Sequence, residues 1–197
     1  FLDPGAPEQG SLSMEHSPRR GFESLIDNFS FSGDALAQAE WTEHRLIYKT
    51  PELSKPIHLS GTASISIRLA SSQPAVNLSV WMVSLPWSKG KKAKITDNII
   101  TRGWADPQNH RSLRESEPLV PGQFYELQFN LQPDDQVIPK GQQIALMIFS
   151  SDRDFTLWPD PGTELTIDLD ATSLSLPVVG GADALEEALR EEPDESC

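Results

Sequence analysis

One run of eleven residues, Thr101-Arg102-Gly103-Trp104-Ala105-Asp106-Pro107-Gln108-Asn109-His110-Arg111, gathers an indole, two guanidinium groups, an imidazole, a carboxylate and two amides. Recognition residues are often carried on loops over a rigid scaffold. Trp104, Asp106, Asn109, His110 and Arg111 are therefore candidates for an interdomain surface or a ligand cleft. The competing, purely connective reading is that Trp104 covers the edge of the fold while Asp106 and Arg111 form a local ion pair. The connective reading is the stronger one. Trp81 joins the candidates because it falls on the strand face opposite Val80 and Met82, where it is either exposed or covered by a second layer. With Trp41, Trp87 and Trp158 it raises the prospect of a carbohydrate-binding face, since sugars stack on exposed coplanar indoles. Trp side chains are mostly buried, so a core or interdomain role stays ahead.

Other reactive types are placed less tellingly. Asp134-Asp135 has the composition of an acid/base or calcium-binding pair. Aspartates before Pro139-Lys140-Gly141 are better explained as turn formers. His16, His44, His58 and His110 are scattered, and none pairs with another at metal-ligand spacing. The basic cluster Lys89-Gly90-Lys91-Lys92-Ala93-Lys94 reads as a solvated hairpin tip. The chain has no Gly-x-Ser-x-Gly elbow, His-Glu-x-x-His, P-loop or Gly-x-Gly-x-x-Gly. No catalytic residue, cofactor-binding residue or metal ligand is assigned, and no cofactor is expected.

Any such side chains must be held by strands. Ala63, Ile65, Ile67 and Leu69 alternate with polar neighbours. So do Val76, Leu78, Val80 and Met82, and likewise Tyr125, Leu127, Phe129 and Leu131. Leu165, Ile167 and Leu169 repeat the pattern, as do Leu174, Leu176 and Val178. A period of two means half-buried strands. Residues 144–149 are apolar on both faces, which predicts a strand covered on both sides. Turns are expected at Ser72-Gln73-Pro74, Val120-Pro121-Gly122, Pro139-Lys140-Gly141 and Pro159-Asp160-Pro161-Gly162. Six to eight strands with short peripheral helices predict an all-β jelly-roll sandwich over residues 41–180. Residues 1–40, with Pro4, Pro7 and Pro18 in their first half, read as a linker and N-terminal extension. Phe22, Leu25, Ile26 and Phe29 have helical spacing there, and residues 35–39 suit a short helical turn. Residues 181–197 read as a short acidic helix and tail.

Composition narrows the partners. The chain carries 16 Lys+Arg against 29 Asp+Glu, a net charge of −13. That balance disfavours nucleic acid and an anionic membrane surface. Six of those net negative charges fall in residues 183–197, so the sandwich itself is only mildly acidic. The lone Cys197 excludes an internal disulfide framework and a cysteine-rich zinc site. There is no run of 18 apolar residues and no visible signal peptide. A start at Phe1 rather than Met leads to the expectation that the chain is part of a longer protein.

Residues 100–169 contain ITRGWADPQNHRSL, EPLVPGQFYELQFNLQPDDQVIPKGQQIALMIFSSD and WPDPGTEL. This region, with the upstream block from Leu59 to Leu85, closely resembles the C-terminal domain of bacterial X-prolyl dipeptidyl aminopeptidases, relatives of the cocaine esterase-like hydrolases. The resemblance covers roughly residues 40–180. It implies a galactose-binding-domain-like jelly roll following an α/β-hydrolase domain in a serine peptidase that releases N-terminal Xaa-Pro dipeptides. The implied partners are that hydrolase domain and the parent's peptide substrate. Assembly as a homo-oligomer, and a cytoplasmic or exported location, are left open by the resemblance. The catalytic Ser, Asp and His belong to the hydrolase domain, so none is carried over to this chain. The chain alone is therefore expected to leave a Gly-Pro chromogenic amide intact. Turnover abolished by a serine-directed inhibitor is the result that would contradict this.

Overall fold

The structure is a computed structural model and describes residues 1–5, 9–16, 20–159 and 161–190. Pro7, Pro18, Asp160 and the acidic tail of residues 191–197 with Cys197, all named above, lie outside the described residues. The strands are β1 (Leu2–Asp3), β2 (Gly10–Leu12), β3 (Phe22–Ile26), β4 (Leu46–Lys49), β5 (Ile57–Gly61) and β6 (Ser64–Ser71). They continue with β7 (Leu78–Leu85), β8 (Ile99–Ala105), β9 (Phe124–Asn130), β10 (Asp134–Ile138), β11 (Gln143–Phe149) and β12 (Glu164–Ser175). Two helices, α1 (Gly33–Gln38) and α2 (Gly181–Leu189), accompany them.

A four-stranded sheet, β3-β12-β6-β9, faces a six-stranded sheet, β1-β2-β4-β11-β7-β8, and β5 pairs with β10 apart from both. Setting aside β1, β2 and the β5–β10 pair, the chain crosses from one sheet to the other at nearly every step, with β7–β8 as an in-sheet hairpin. The result is an all-β sandwich with the strand order of a jelly roll. The alternation seen in the sequence builds its core. Ile65, Ile67 and Leu69 of β6 stand opposite Phe129, Leu127 and Tyr125 of β9. They meet Leu78, Val80, Met82, Leu146 and Ile148 of the other sheet in one buried cluster. Each such side chain contributes about 1.5–3 kcal/mol by leaving water.

The six-stranded sheet is buried on its outer face too. Ile47, Trp81, Val83, Leu85, Ala145, Met147 and Phe149 form a second cluster there, covered by Leu36 and Ala37 of α1. That accounts for β11, in which every residue from Ile144 to Phe149 is fully buried, as its two-faced apolar run predicts. Helix α1 is capped by Ser32, whose Oγ accepts from Ala35 N–H at 3.2 Å. Its last carbonyls are met by buried Arg45, which donates to Leu36 O at 2.8 Å and Ala39 O at 2.6 Å. Only glycine lets this helix lie so close. A Cβ on Gly33 would sit 2.5 Å from Trp81 Cη2, and closer still to Cζ2.

Several local expectations give way. The stretch expected as linker, residues 1–40, holds β1, β2, β3 and α1, and Leu2 and Leu25 are fully buried. Strands of two and three residues leave no periodicity to read. The helical spacing of Phe22, Leu25, Ile26 and Phe29 is coincidental, because only Leu25 faces inward in the β3–β12 ladder while Phe22 and Ile26 are exposed. Asp134 and Asp135 open β10 instead of forming a turn, and Asp135 binds His58 Nε2 at 2.5 Å across the β5–β10 pair. The run from Thr101 is strand as far as Ala105, not loop. Helix α2 is docked on the sandwich, with Leu185 and Ala188 in the main core and Lys55 paired to Glu187.

Replacing Gly33 by Ala is expected to cost about 1–3 kcal/mol, the usual penalty for overfilling a packed site. A urea midpoint equal to that of the parent chain would show that α1 does not rest on Trp81.

Candidate functional site

The six candidates divide into two places. Trp104, Asp106, Asn109 and His110 line a groove of about 180 Å³ together with Leu113, Gln128 and Phe129. Arg111 is turned away and pairs with Glu117 at 3.3 Å, so the expected Asp106–Arg111 ion pair does not form. The polar groups of the groove are spent on the backbone of their own loop. Asp106 Oδ1 accepts from Gln108 N–H at 2.9 Å, and the Asn109 amide donates to Ser112 O and Glu115 O, both at 3.1 Å. His110 Nδ1 lies 3.2 Å from Pro107 O, and its ring packs on Tyr125. These side chains shape a turn after β8, as Asx and amide side chains commonly do.

Trp81 and Trp104 meet elsewhere, on the outer face of the six-stranded sheet. Trp81 stands opposite Arg102 in the β7–β8 ladder, and Trp104 opposite Ser79. Both indole N–H groups donate to one atom, Asp152 Oδ2, at 3.0 Å each. Asp152 stands three residues past the end of β11 and is completely buried, and its Oδ1 has no partner among the described residues. Burial pushes the Asp152 carboxyl above its ordinary range, while the two indole donors and the nearby Arg102 charge hold it down. Loss of hydration outweighs the donors here.

Asp152 also begins a loop held from beneath. Phe155 N–H and Thr156 N–H both donate to Asp152 O at 2.8 Å. Buried Asp27 accepts from Ser151 N–H at 2.9 Å and from its hydroxyl at 2.8 Å, and Arg153 donates to Ser30 O at 3.1 Å. The top of the loop is apolar and open: Leu157 is 90% exposed, Phe155 56% and Trp158 53%. Trp158 lies flat on Phe29, with ring centroids 5.2 Å apart and 3° between planes. Phe155 stacks on Trp104, while exposed Phe31 stacks on His44. Arg102 lies beside Phe155, with its guanidinium 4.4 Å from the Trp81 ring centre and 5.2 Å from that of Phe155.

Among the described residues no serine hydroxyl is bonded to a histidine, and no group of three His, Cys, Asp or Glu is placed to hold a metal ion. Of the tryptophans raised for a sugar platform, Trp81 is only 1% exposed and Trp104 is covered by Phe155, whereas Trp41 and Trp158 are exposed. Sequence reasoning missed Asp152, Arg102 and Phe155 as partners of the two tryptophans. The Ser-Ser-Asp run just past β11 was the available signal, because a carboxylate so near a fully apolar strand must be accommodated somehow.

Fold and surface together define an all-β sandwich domain with an ordered, partly apolar outer face. Residues 2–186 match the family described as the X-Pro dipeptidyl-peptidase C-terminal non-catalytic domain, and the chain belongs to that family. A protein of Rhodopirellula baltica bearing a Xaa-Pro dipeptidyl-peptidase name is 68% identical over 93% of this chain and 29% of its own length. A similarly named protein of Bacillus cereus is 38% identical over 85% of this chain and 27% of its own. The chain therefore spans less than a third of these relatives. A solved α-amino acid ester hydrolase superposes with a TM-score of 0.66 at 16% identity, covering 90% of this chain and 36% of that one, a likeness of fold.

The raised Asp152 pKa sets a direction for pH dependence. A carboxyl that holds its proton more tightly when folded loses stability as pH rises, from the unfolded value of about 4 through the raised folded value. The stability of Asp152→Asn relative to the parent chain should therefore improve as pH is raised through that window. Urea titrations at a series of pH values test it, and a difference that moves the other way refutes the assignment.

Proposed function

We propose that this domain packs on the α/β-hydrolase domain of a serine peptidase that releases N-terminal Xaa-Pro dipeptides, and that it helps wall the active-site entrance. One observation carries the reading. Phe155, Leu157 and Trp158 are presented to water on a loop that Asp27, Ser151 and Asp152 lock from below. Ordering a loop costs about 1–2 kcal/mol per residue in backbone entropy. Apart from the stacking of Phe155 on Trp104 and of Trp158 on Phe29, the exposed parts of these side chains return little to an isolated domain. Holding them outward becomes favourable when a partner covers them, at roughly 25 cal/mol per Å² removed from water. Family membership supplies the partner, because a non-catalytic C-terminal domain implies a catalytic part of the same polypeptide. The parent's peptide substrate would then be bound by that catalytic part, with this domain as a rigid boundary. Homo-oligomers, if formed, would use other surfaces.

Hydrogen–deuterium exchange on the isolated domain and on the full-length polypeptide tests the packing. Amides of residues 151–159 and 28–32 should exchange at least tenfold more slowly in the full-length protein. Equal rates in both would overturn the reading.

A further inference from the structure

We propose that Arg102 is the polar anchor of that covered face and receives a carboxylate side chain, Asp or Glu, from the catalytic domain. The inference rests on the packing reading and adds the chemistry of the contact. Arg102 projects from β8 on the outer face of the sheet, opposite Trp81. Its guanidinium carbon lies 4.4 Å from the Trp81 ring centre and 5.2 Å from that of Phe155. None of its five N–H donors is hydrogen-bonded among the described residues, and its Nε is shut off from water without an acceptor. No carboxylate of the described residues comes within ion-pair distance of it. Asp152 tempers its charge from nearby, yet Asp152 Oδ2 is already occupied by two indoles.

A guanidinium packed against aromatic rings makes no hydrogen bond to them, so its N–H donors stay available for a carboxylate, which guanidinium binds with two parallel hydrogen bonds. Exposed Phe155 and Leu157 would exclude water around the contact once covered, which is where an ion pair gains most. Exposed surface arginines usually find their partner in water, whereas this one is half-buried and already ordered. The lysines of residues 89–94 offer no such setting, being exposed on the hairpin loop between β7 and β8. A side chain of the catalytic domain is favoured over a free anion or a substrate carboxylate because Arg102 is continuous with the apolar cluster that the same packing would cover.

The test uses the full-length polypeptide and the isolated domain in parallel, with exchange of residues 151–159 as readout. Arg102→Glu should raise exchange in the full-length protein tenfold or more while changing it less than twofold in the isolated domain. Arg102→Lys should recover part of the protection, since it keeps the charge and loses the fork. If Arg102→Glu disturbs the isolated domain, Arg102→Met, which keeps the stem and removes the charge, takes its place with the same expectations. Full protection in both charge-removing variants, against a protected parent, overturns the role of Arg102 and leaves the packing standing. Absence of protection in the parent itself overturns the packing reading and this inference with it. A rise in KM confined to peptides with a free C-terminal carboxylate, with protection intact, would assign Arg102 to substrate instead and likewise refute the proposal.

Discussion

A carboxylate without water around it governs the outer half of this domain. Moving an isolated carboxylate out of water costs several kcal/mol even after the protein relaxes. Hydrogen bonds to a charged group return about 1.5–3 kcal/mol each. Asp152 receives two such bonds at one oxygen from indoles on adjacent strands, and a guanidinium lies close by. The compensation is partial, which is why the carboxyl holds its proton more tightly than usual. The constraint is also architectural. Trp81, Trp104 and the loop after β11 must converge on one point, so the outer face of the sheet becomes a second packed layer. Helix α1 is admitted to that layer only because Gly33 carries no Cβ where Trp81 lies.

The core was legible in the sequence wherever a strand has one wet and one dry face. Ile65, Ile67 and Leu69, or Leu78, Val80 and Met82, announce themselves by alternation, and β11 by its lack of it. Leu165 to Leu174 reads as parts of two strands because a register shift between Asp168 and Ser173 interrupts the pairing of what is one strand, β12, with Leu176 and Val178 beyond its end. The edges were not legible. β1, β2 and β10 are too short or too polar to show a period, and they are fixed by their neighbours' ladders. In β8 the second layer hides the pattern, since Arg102 and Trp104 face outward into packed side chains while Gly103 faces the core against Leu131 and Phe129.

The candidate site was legible by residue type and misread by proximity. Asp106, Asn109, His110 and Arg111 look like a binding cluster because they are adjacent in sequence, yet adjacency is also what a turn requires, and three of them serve the turn. The grouping that the fold makes is non-local. Asp152 meets Trp104 from 48 residues away and Trp81 from 71. No spacing rule reports such a meeting, because the sheet order β11-β7-β8 creates it.

Charge and rigidity together explain why such a face suits an attached domain better than a free-standing binder. The chain is acidic overall, yet six of its 13 net negative charges lie at residues 183–197, near α2 and beyond it. Arg102 and Arg153 therefore present positive charge beside Phe155, Leu157 and Trp158 in a sandwich that is otherwise only mildly acidic. Association is limited by the freedom lost on binding, about 0.5–1.5 kcal/mol for each long side chain that must be ordered. Here much of the ordering is done in advance, with Arg102 packed near the Trp81 and Phe155 rings and the loop tied down through Asp27 and Asp152. Covalent linkage to the partner removes most of the remaining cost by raising the effective concentration. A linked and preorganised surface of this kind needs only a few contacts to stay closed, which fits a small cluster of aromatic residues around a single ordered cation.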